Sequence, residues 1–414
     1  MRTCSSCLRS SRKLQSDIEV GPLGVLTSES QDHSPRDERI SSADEYMKVE
    51  IFDSLEACQH LRSEWNSFAE RCGDDISLTF EWHRALAASQ PLAEQLRVLW
   101  IYEGEELQAI LPLCMARRSL RWVPLRHLIP LGSFYCAHDN LLLRSVSLDR
   151  LCEALDVTVS TLAPWDVFSF SLSDSTQLYS QLDERHPSEK YWIDLVAGKA
   201  SPYLTLEGNA EDFASKLGTK MRTNIRARLK RLRSAGEVEL VALTSLSDVT
   251  DALETIRSIE LRSWKHSAGT SITANPIQIR FYDTLMRELA ANGTLLVFLL
   301  LLGGKPIAHD LGFVYKNRFF SGKTSFVDEI RHLQPGFILR WLIINALYGR
   351  GISEHDFMGD SEAHKMQWTQ TVRRHRDVLF YRKGALSGAS LAFRHIARLR
   401  KGSVFVERQG GDLL

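Results

Sequence analysis

No stretch of this 414-residue chain reads as a membrane-crossing helix. Its fullest apolar run, Leu295-Leu296-Val297-Phe298-Leu299-Leu300-Leu301-Leu302, stops at Gly303-Gly304, far short of the about 20 residues that spanning takes. Net charge is missing too: 51 Lys and Arg balance 51 Asp and Glu. The whole molecule therefore has no pull on nucleic acid or an anionic membrane, and any such binding needs a local patch. Seven cysteines, an odd number in a long chain, set no disulfide framework, so a reducing, cytoplasmic compartment fits. Cys4-x-x-Cys7 has no second pair at metal-ligand spacing, and His and Cys are nowhere grouped for a metal, so none is expected. A Gly-x-Ser-x-Gly elbow for a nucleophilic serine is also absent.

What is present is a soluble-type composition, 44% hydrophobic and 25% charged, in a chain longer than one ordinary domain. Residues 1–45, rich in Ser, Arg, Asp and Glu, read as a disordered leader, with Met47 as an alternative start. Residues 46–200 form a first unit. Helices are expected over Ser54–Ala69 and from Thr79, a hairpin turns at Glu103-Gly104, and a helix around Leu148–Leu162 precedes a strand at Val167–Leu172. Residues 201–385 form the second unit, and 386–414 a basic helix and tail. Asn209 caps a helical region that turns strongly basic through Lys216, Lys220, Arg222, Arg226, Arg228, Lys230, Arg231 and Arg233. That run suits an anionic substrate or a cofactor phosphate; without interleaved aromatics for base stacking it argues against nucleic acid. Its stripe of Ile225, Leu229 and Leu232 equally fits a solvated surface helix.

The organising stretch begins at Thr294. A buried strand ends at Gly303-Gly304, which tolerate the positive φ of a hairpin turn; the chain returns through Ile307–Tyr315, turns at Lys316-Asn317 and runs out through Arg318–Lys323. After this three-stranded meander, Gln334-Pro335-Gly336 opens a helix. Proline suits the first turn, glycine lets a ligand approach the backbone, and free N–H groups there attract phosphate. A short strand around Ser353–Phe357 leads to Met358-Gly359-Asp360, His364-Lys365 and Trp368.

Meander, phosphate-friendly loop, helix and strand in this order resemble the cofactor half of GNAT acyltransferases. The phrases Gly304-Lys305-Pro306-Ile307-Ala308, Gln334-Pro335-Gly336 and Asp356-Phe357-Met358-Gly359 with Lys365 resemble the CelD-type branch found with cellulose and other polysaccharide synthesis systems, related to FemABX peptidyltransferases. That branch usually reads Asp-Phe-Gly-x-Gly with Tyr-Lys, so Met358, Asp360 and His364 are departures. Phe80 to Trp82, Pro112-Leu113 and Asp139 carry the resemblance into the first unit. The resemblance implies an α/β fold with a mixed α+β sheet, built as two tandem GNAT-like lobes, the N-terminal one degenerate. It implies transfer of an acetyl or other acyl group from acyl-CoA to an amine or hydroxyl of a small-molecule or sugar-linked acceptor. The alternatives are an aminoacyl-tRNA-dependent peptidyltransferase, disfavoured because the long helical insertion some of those enzymes carry is missing, and a non-catalytic module of a polysaccharide synthesis system. DNA is not expected as a partner.

Candidate residues follow. Asp356 and Asp360, at a strand end, and His309, on the middle meander strand, are candidate bases. Lys365, by its match to the family phrase, is placed to meet phosphate or developing negative charge. Arg331 and Gln334, with the amides of Gly336 and Phe337, are candidates for cofactor phosphates. Trp264, Lys265 and Asp139 are placed by the resemblance on the acceptor side.

Overall fold

The computed structural model describes residues 47–91, 95–120, 123–132, 141–144, 147–161, 164–173, 177–183 and 189–401. The expected leader with Cys4 and Cys7, the substrate candidate Asp139 and the last residues of the tail lie outside them. The strands are β1 (Met47–Phe52), β2 (Arg97–Glu103), β3 (Glu106–Leu120), β4 (Val123–Pro130), β5 (Leu142–Leu143), β6 (Val167–Ser173), β7 (Tyr191–Thr205), β8 (Val238–Leu243), β9 (Leu295–Leu302), β10 (Lys305–Tyr315), β11 (Arg318–Phe326), β12 (Glu354–Asp356) and β13 (Val372–Arg382). Among the described residues they make one mixed sheet in the order β1-β2-β3-β4-β6-β13-β7-β12-β11-β10-β9-β8, with β5 beside β3.

The fold is a mixed α/β architecture of two GNAT-like lobes, the same sequence of elements occurring twice. β2, β3 and β4 form a meander, followed by the helix Leu148–Thr161, β6 parallel to β4, a short helix and the long β7. β9, β10 and β11 form the second meander, followed by the helix Pro335–Tyr348, β12 parallel to β11, a short helix and the long β13. Each long last strand crosses over. β7 leaves the first lobe to pair with β12, β13 leaves the second to pair with β6, and the two pair with each other from Val372↔Pro202 to Arg382↔Tyr191. Residue 200, the expected boundary, falls inside β7, so a shared strand and not a linker joins the lobes.

Local chemistry sets these elements. The Gly303-Gly304 and Lys316-Asn317 turns hold positive φ at all four residues, the pattern that matches the twist of a tight hairpin. Thr79 caps Phe80–Ser89 by accepting from the Trp82 amide. The helix expected from Ser54 instead starts at Arg62, because Ser54 Oγ accepts from the Ala57 amide at 3.1 Å and turns the chain first. The basic region is two helices, Ala210–Lys216 and Thr219–Ala235, broken where Leu217 and Gly218 turn extended. The lobes also share a core: Trp82 meets Phe281 at 5.4 Å and Phe313 at 5.7 Å between ring centroids, edge to face. Cys58 and Cys114 are buried in it or beside it, and burial pushes their thiols up to about 12, so neither supplies a thiolate at neutral pH.

Candidate functional site

The second lobe contains a split. β11 and β12 pair in parallel only from Arg318↔Glu354 to Phe320↔Asp356. Beyond that point β11 continues to Phe326 beside β10, whereas the Phe357 amide donates to the carbonyl of Pro202 on β7. On the β11 lip the register jumps from Leu311↔Lys323 to Gly312↔Ser321, leaving Gly322 as a bulge. A bulge frees backbone groups from the ladder and re-aims side chains. A Cβ at Gly322 would come within 2.6 Å of the Phe313 ring, so the position needs glycine.

The bulge puts Ser321 and Thr324 on one face, over a buried polar floor. Arg340, a lone charge in the otherwise apolar start of Pro335–Tyr348, donates to Ser321 Oγ at 2.5 Å, His355 Nε2 at 2.8 Å and Thr324 Oγ1 at 3.0 Å, and pairs with Asp310 Oδ2 at 3.0 Å. Ser321 and Thr324 each donate to the same Asp310 oxygen at 2.9 Å. Burial and then the Arg340 charge hold His355 well below its usual range, so its imidazole is neutral and Nε2 accepts. Among the described residues Asp310 Oδ1 has no partner.

The opposite face of the meander carries a second buried group. Glu260 receives His309 Nε2 at 3.1 Å on one oxygen and the Ile272 amide at 3.0 Å on the other. Burial pushes the Glu260 carboxyl up, but the His309 hydrogen bond and charge outweigh it and leave it lowered. His309 Nδ1 and Ser325 Oγ are both buried without a partner among the described residues. Lys265 Nζ donates to the Thr324 carbonyl at 2.6 Å, and Lys323 Nζ to that of Thr270 at 2.7 Å. Burial lowers both lysines, Lys323 to about 8 with the Lys265 charge adding to the effect. Trp264, 49% exposed, stands beside this wall.

At the end of the split lies the start of Pro335–Tyr348. Gln334 holds φ 55, a left-handed conformation uncommon outside glycine, and no side chain among the described residues caps the helix. A Cβ on Gly336 would meet Phe326 at 3.1 Å. The basic helix Thr219–Ala235 borders this loop: the Arg228 guanidinium sits 3.9 Å over the Phe337 ring, and Arg231 reaches the His332 carbonyl at 3.5 Å. Arg331, its side chain 71% exposed, has a 3.8 Å ion pair with Asp328. The helix start thus has free amide donors and a positive dipole end, with Arg228 and Arg231 of the basic helix against its loop.

Residues 219–366 match the family model of the acetyltransferase (GNAT) domain. The match covers the basic helix, the meander, the split and the helix start. None of the curated proteins matches this chain. Three solved structures are similar in overall path: FemX, 11% identical over 76% of this chain and 95% of that one, TM-score 0.48; the C-terminal domain of a putative lysylphosphatidylglycerol synthetase from Agrobacterium fabrum, 14% identical over 82% and 98%, TM-score 0.47; and a tandem GNAT protein of the clavulanic acid pathway, 10% identical over 82% and 99%, TM-score 0.44.

The sequence candidates among the described residues divide into three groups within the matched region. Gln334, Gly336, Phe337 and Arg331 gather at the helix start, and Trp264, Lys265 and His309 on the wall facing Glu260. Asp356, Lys365 and Asp360 belong to the turn after β12. Both Asp356 oxygens are engaged there, one by the Met358 amide at 2.7 Å and the other by Arg373 at 2.6 Å. Lys365 Nζ donates to the carbonyls of Met358 at 2.8 Å and Asp360 at 3.2 Å and pairs with Glu362 at 3.0 Å. These contacts clamp a turn in which Met358 takes φ 48 and Gly359 φ 64. Asp360 Oδ1 is buried and unpartnered among the described residues. Sequence reasoning passed over Glu260, Asp310, Ser321, Lys323, Thr324, Arg340 and His355. For Arg340 a signal existed: it is the lone charge in a helix that is otherwise almost wholly apolar.

Proposed function

We propose that this protein is an acyltransferase of the CelD-type branch, moving an acetyl or other acyl group from acyl-CoA to an amine or hydroxyl of a sugar-linked or cell-envelope polysaccharide precursor. We assign the transfer to the lobe 201–385 and a scaffold role to the lobe 46–200. The observation that carries the reading is the parting of β11 and β12 next to an uncapped helix start flanked by Arg228, Arg231 and Arg331. A thioester arm lies in such a split, its pyrophosphate against the amides of Gly336 and Phe337.

In this reading the backbone at the Gly322 bulge polarises the thioester carbonyl. The acceptor enters along Trp264, Lys265 and Lys323, and its nitrogen or oxygen lone pair forms the new bond to the acyl carbon. The acceptor proton passes to His309, oriented by Glu260; the carbon–sulfur bond breaks and the CoA thiolate leaves, taking up a proton. Asp356, Lys365 and Asp360 act by holding the turn that forms the other lip. Acetyl-CoA binding by calorimetry with release of free CoA thiol over sugar amines and alcohols tests this. His309→Asn is expected to keep binding and lower turnover by about 10²–10⁴-fold. Absence of both binding and thiol release sinks the acyl-CoA reading. The basic helix beside the loop favours one second reading, an aminoacyl-tRNA donor; transfer abolished by ribonuclease would select it. Binding without turnover on any acceptor would leave the non-catalytic module.

A further inference from the structure

The last described helix, Ala385–Lys401, is turned inside out. An ordinary surface helix buries its apolar stripe and shows water its polar one. Here the side against the sheet is small and polar. Ser387 Oγ donates to the Asp166 carbonyl at 3.2 Å, Arg394 pairs with Asp194 at 3.6 Å, and Gly388 lies so close to Trp192 that a Cβ would come within 3.0 Å of that ring. Leu391 packs toward the buried cluster of Leu125, Val167, Leu379 and Tyr381. The outward side carries Leu386, 53% exposed, Phe393, 48%, and Ile396, 44%, with exposed Ala385, Ala389 and Ala392 between them. Positions 386, 389, 393 and 396 share one helical face, so the exposed residues form a continuous stripe and not scattered singletons.

The charge around the stripe is one-sided. From Ala385 to Lys401 the sequence holds Arg394, His395, Arg398, Arg400 and Lys401 and no acid, and Arg382-Lys383 lead into it. Of the carboxylates beneath, Asp166 pairs with Arg126, Asp377 accepts from Ser171, and Asp194 holds one cation of the helix itself, Arg394. We infer that this helix lies on an anionic lipid surface, the Leu386–Phe393–Ile396 stripe entering the boundary between headgroups and acyl chains while the flanking cations meet lipid phosphate. A second copy of the helix answers the apolar stripe but sets like charges together; an anionic bilayer answers both. No helix among the described residues is long and apolar enough to cross a membrane, so the contact is peripheral. With 51 charges of each sign the molecule has no overall attraction to lipid, and the patch acts locally.

The test is cosedimentation of the full chain with vesicles of phosphatidylcholine alone and of phosphatidylcholine mixed with phosphatidylglycerol. At least about tenfold more protein is expected on the anionic vesicles, falling with salt. Phe393→Asp/Ile396→Asp, at exposed positions, is expected to remove that binding, while Leu246→Asp, at an exposed leucine elsewhere, leaves it unchanged. Equal binding to both vesicles, or binding to neither, overturns the proposal. So does a solution dimer that the Phe393→Asp/Ile396→Asp variant dissociates, since the stripe would then be covered by a second copy.

Discussion

The helices Leu148–Thr161 and Pro335–Tyr348 occupy the same place in the two lobes, each between a meander and a parallel strand, yet they are built for different ends. In the first lobe the helix start is satisfied by side chains: Ser147 Oγ accepts from the Arg150 amide at 3.2 Å and Gln181 Oε1 from the Leu148 amide at 2.9 Å. Its inner face is Leu151, Ala154 and Leu155, and the space near β4 and β6 is filled by Leu128, Phe168, Phe170 and Phe380. In the second lobe the helix start lacks a side-chain cap, and the inner face brings Arg340 onto Asp310. One lobe spends its split on packing and the other keeps it polar. A duplicated fold can thus retain its frame in both copies while one packs with apolar side chains the place that the other lines with polar ones.

Exchanging these characters between the lobes should break the contrast. Arg340→Ala leaves Asp310 buried and uncompensated, and a loss of about 3–5 kcal/mol in urea unfolding is expected; Leu155→Ala, at the apolar counterpart, should cost about 2–5 kcal/mol through its cavity and leave acyl-CoA binding intact. If Arg340→Ala proves neutral, the polar floor contributes nothing to the fold. Next in size, Arg228→Ala/Arg231→Ala should weaken acyl-CoA binding about tenfold and flatten its salt dependence in calorimetry. Ser147→Ala, at the capped start of the other lobe, should leave binding unchanged and cost about 1 kcal/mol of stability. The smallest effect concerns pH. Lys323 is held near 8 against its ordinary 10.5, so the unfolded chain takes up its proton first as pH falls, and stability is lost from about 10.5 down to 8. Set against a Lys323→Met variant, the native urea midpoint should gain on the variant's as pH rises over that interval, and an unchanged difference would remove Lys323 from the account.

The legible parts of the fold were those written in local chemistry. Gly303-Gly304, Lys316-Asn317 and Pro335 mark their turns and helix start in single residues, and the meander followed from them. β7 was not legible because Gly198 and Pro202 interrupt it as a strand pattern. Gly198 is there because a Cβ would sit 2.9 Å from the His375 carbonyl, at the irregularity where β13 crosses, and only the fold reveals that neighbour. The basic run was visible, but its proximity to Phe337 depends on packing across a hundred residues. The polar floor assembles Asp310, Ser321, Thr324, Arg340 and His355 from four elements, so spacing along the chain carries no trace of it.

The crossed strands bear on how a substrate can get in. In a two-lobed protein joined by a flexible tether, the lobes open and close like jaws, and ligand capture is a rotation about a hinge. Here the seam is itself a ladder of backbone hydrogen bonds between β7 and β13, reinforced by the shared aromatic core around Trp82. Rotating one lobe against the other would tear a sheet apart. Whatever opens or closes in this protein is therefore smaller than a lobe, set against a frame that does not bend.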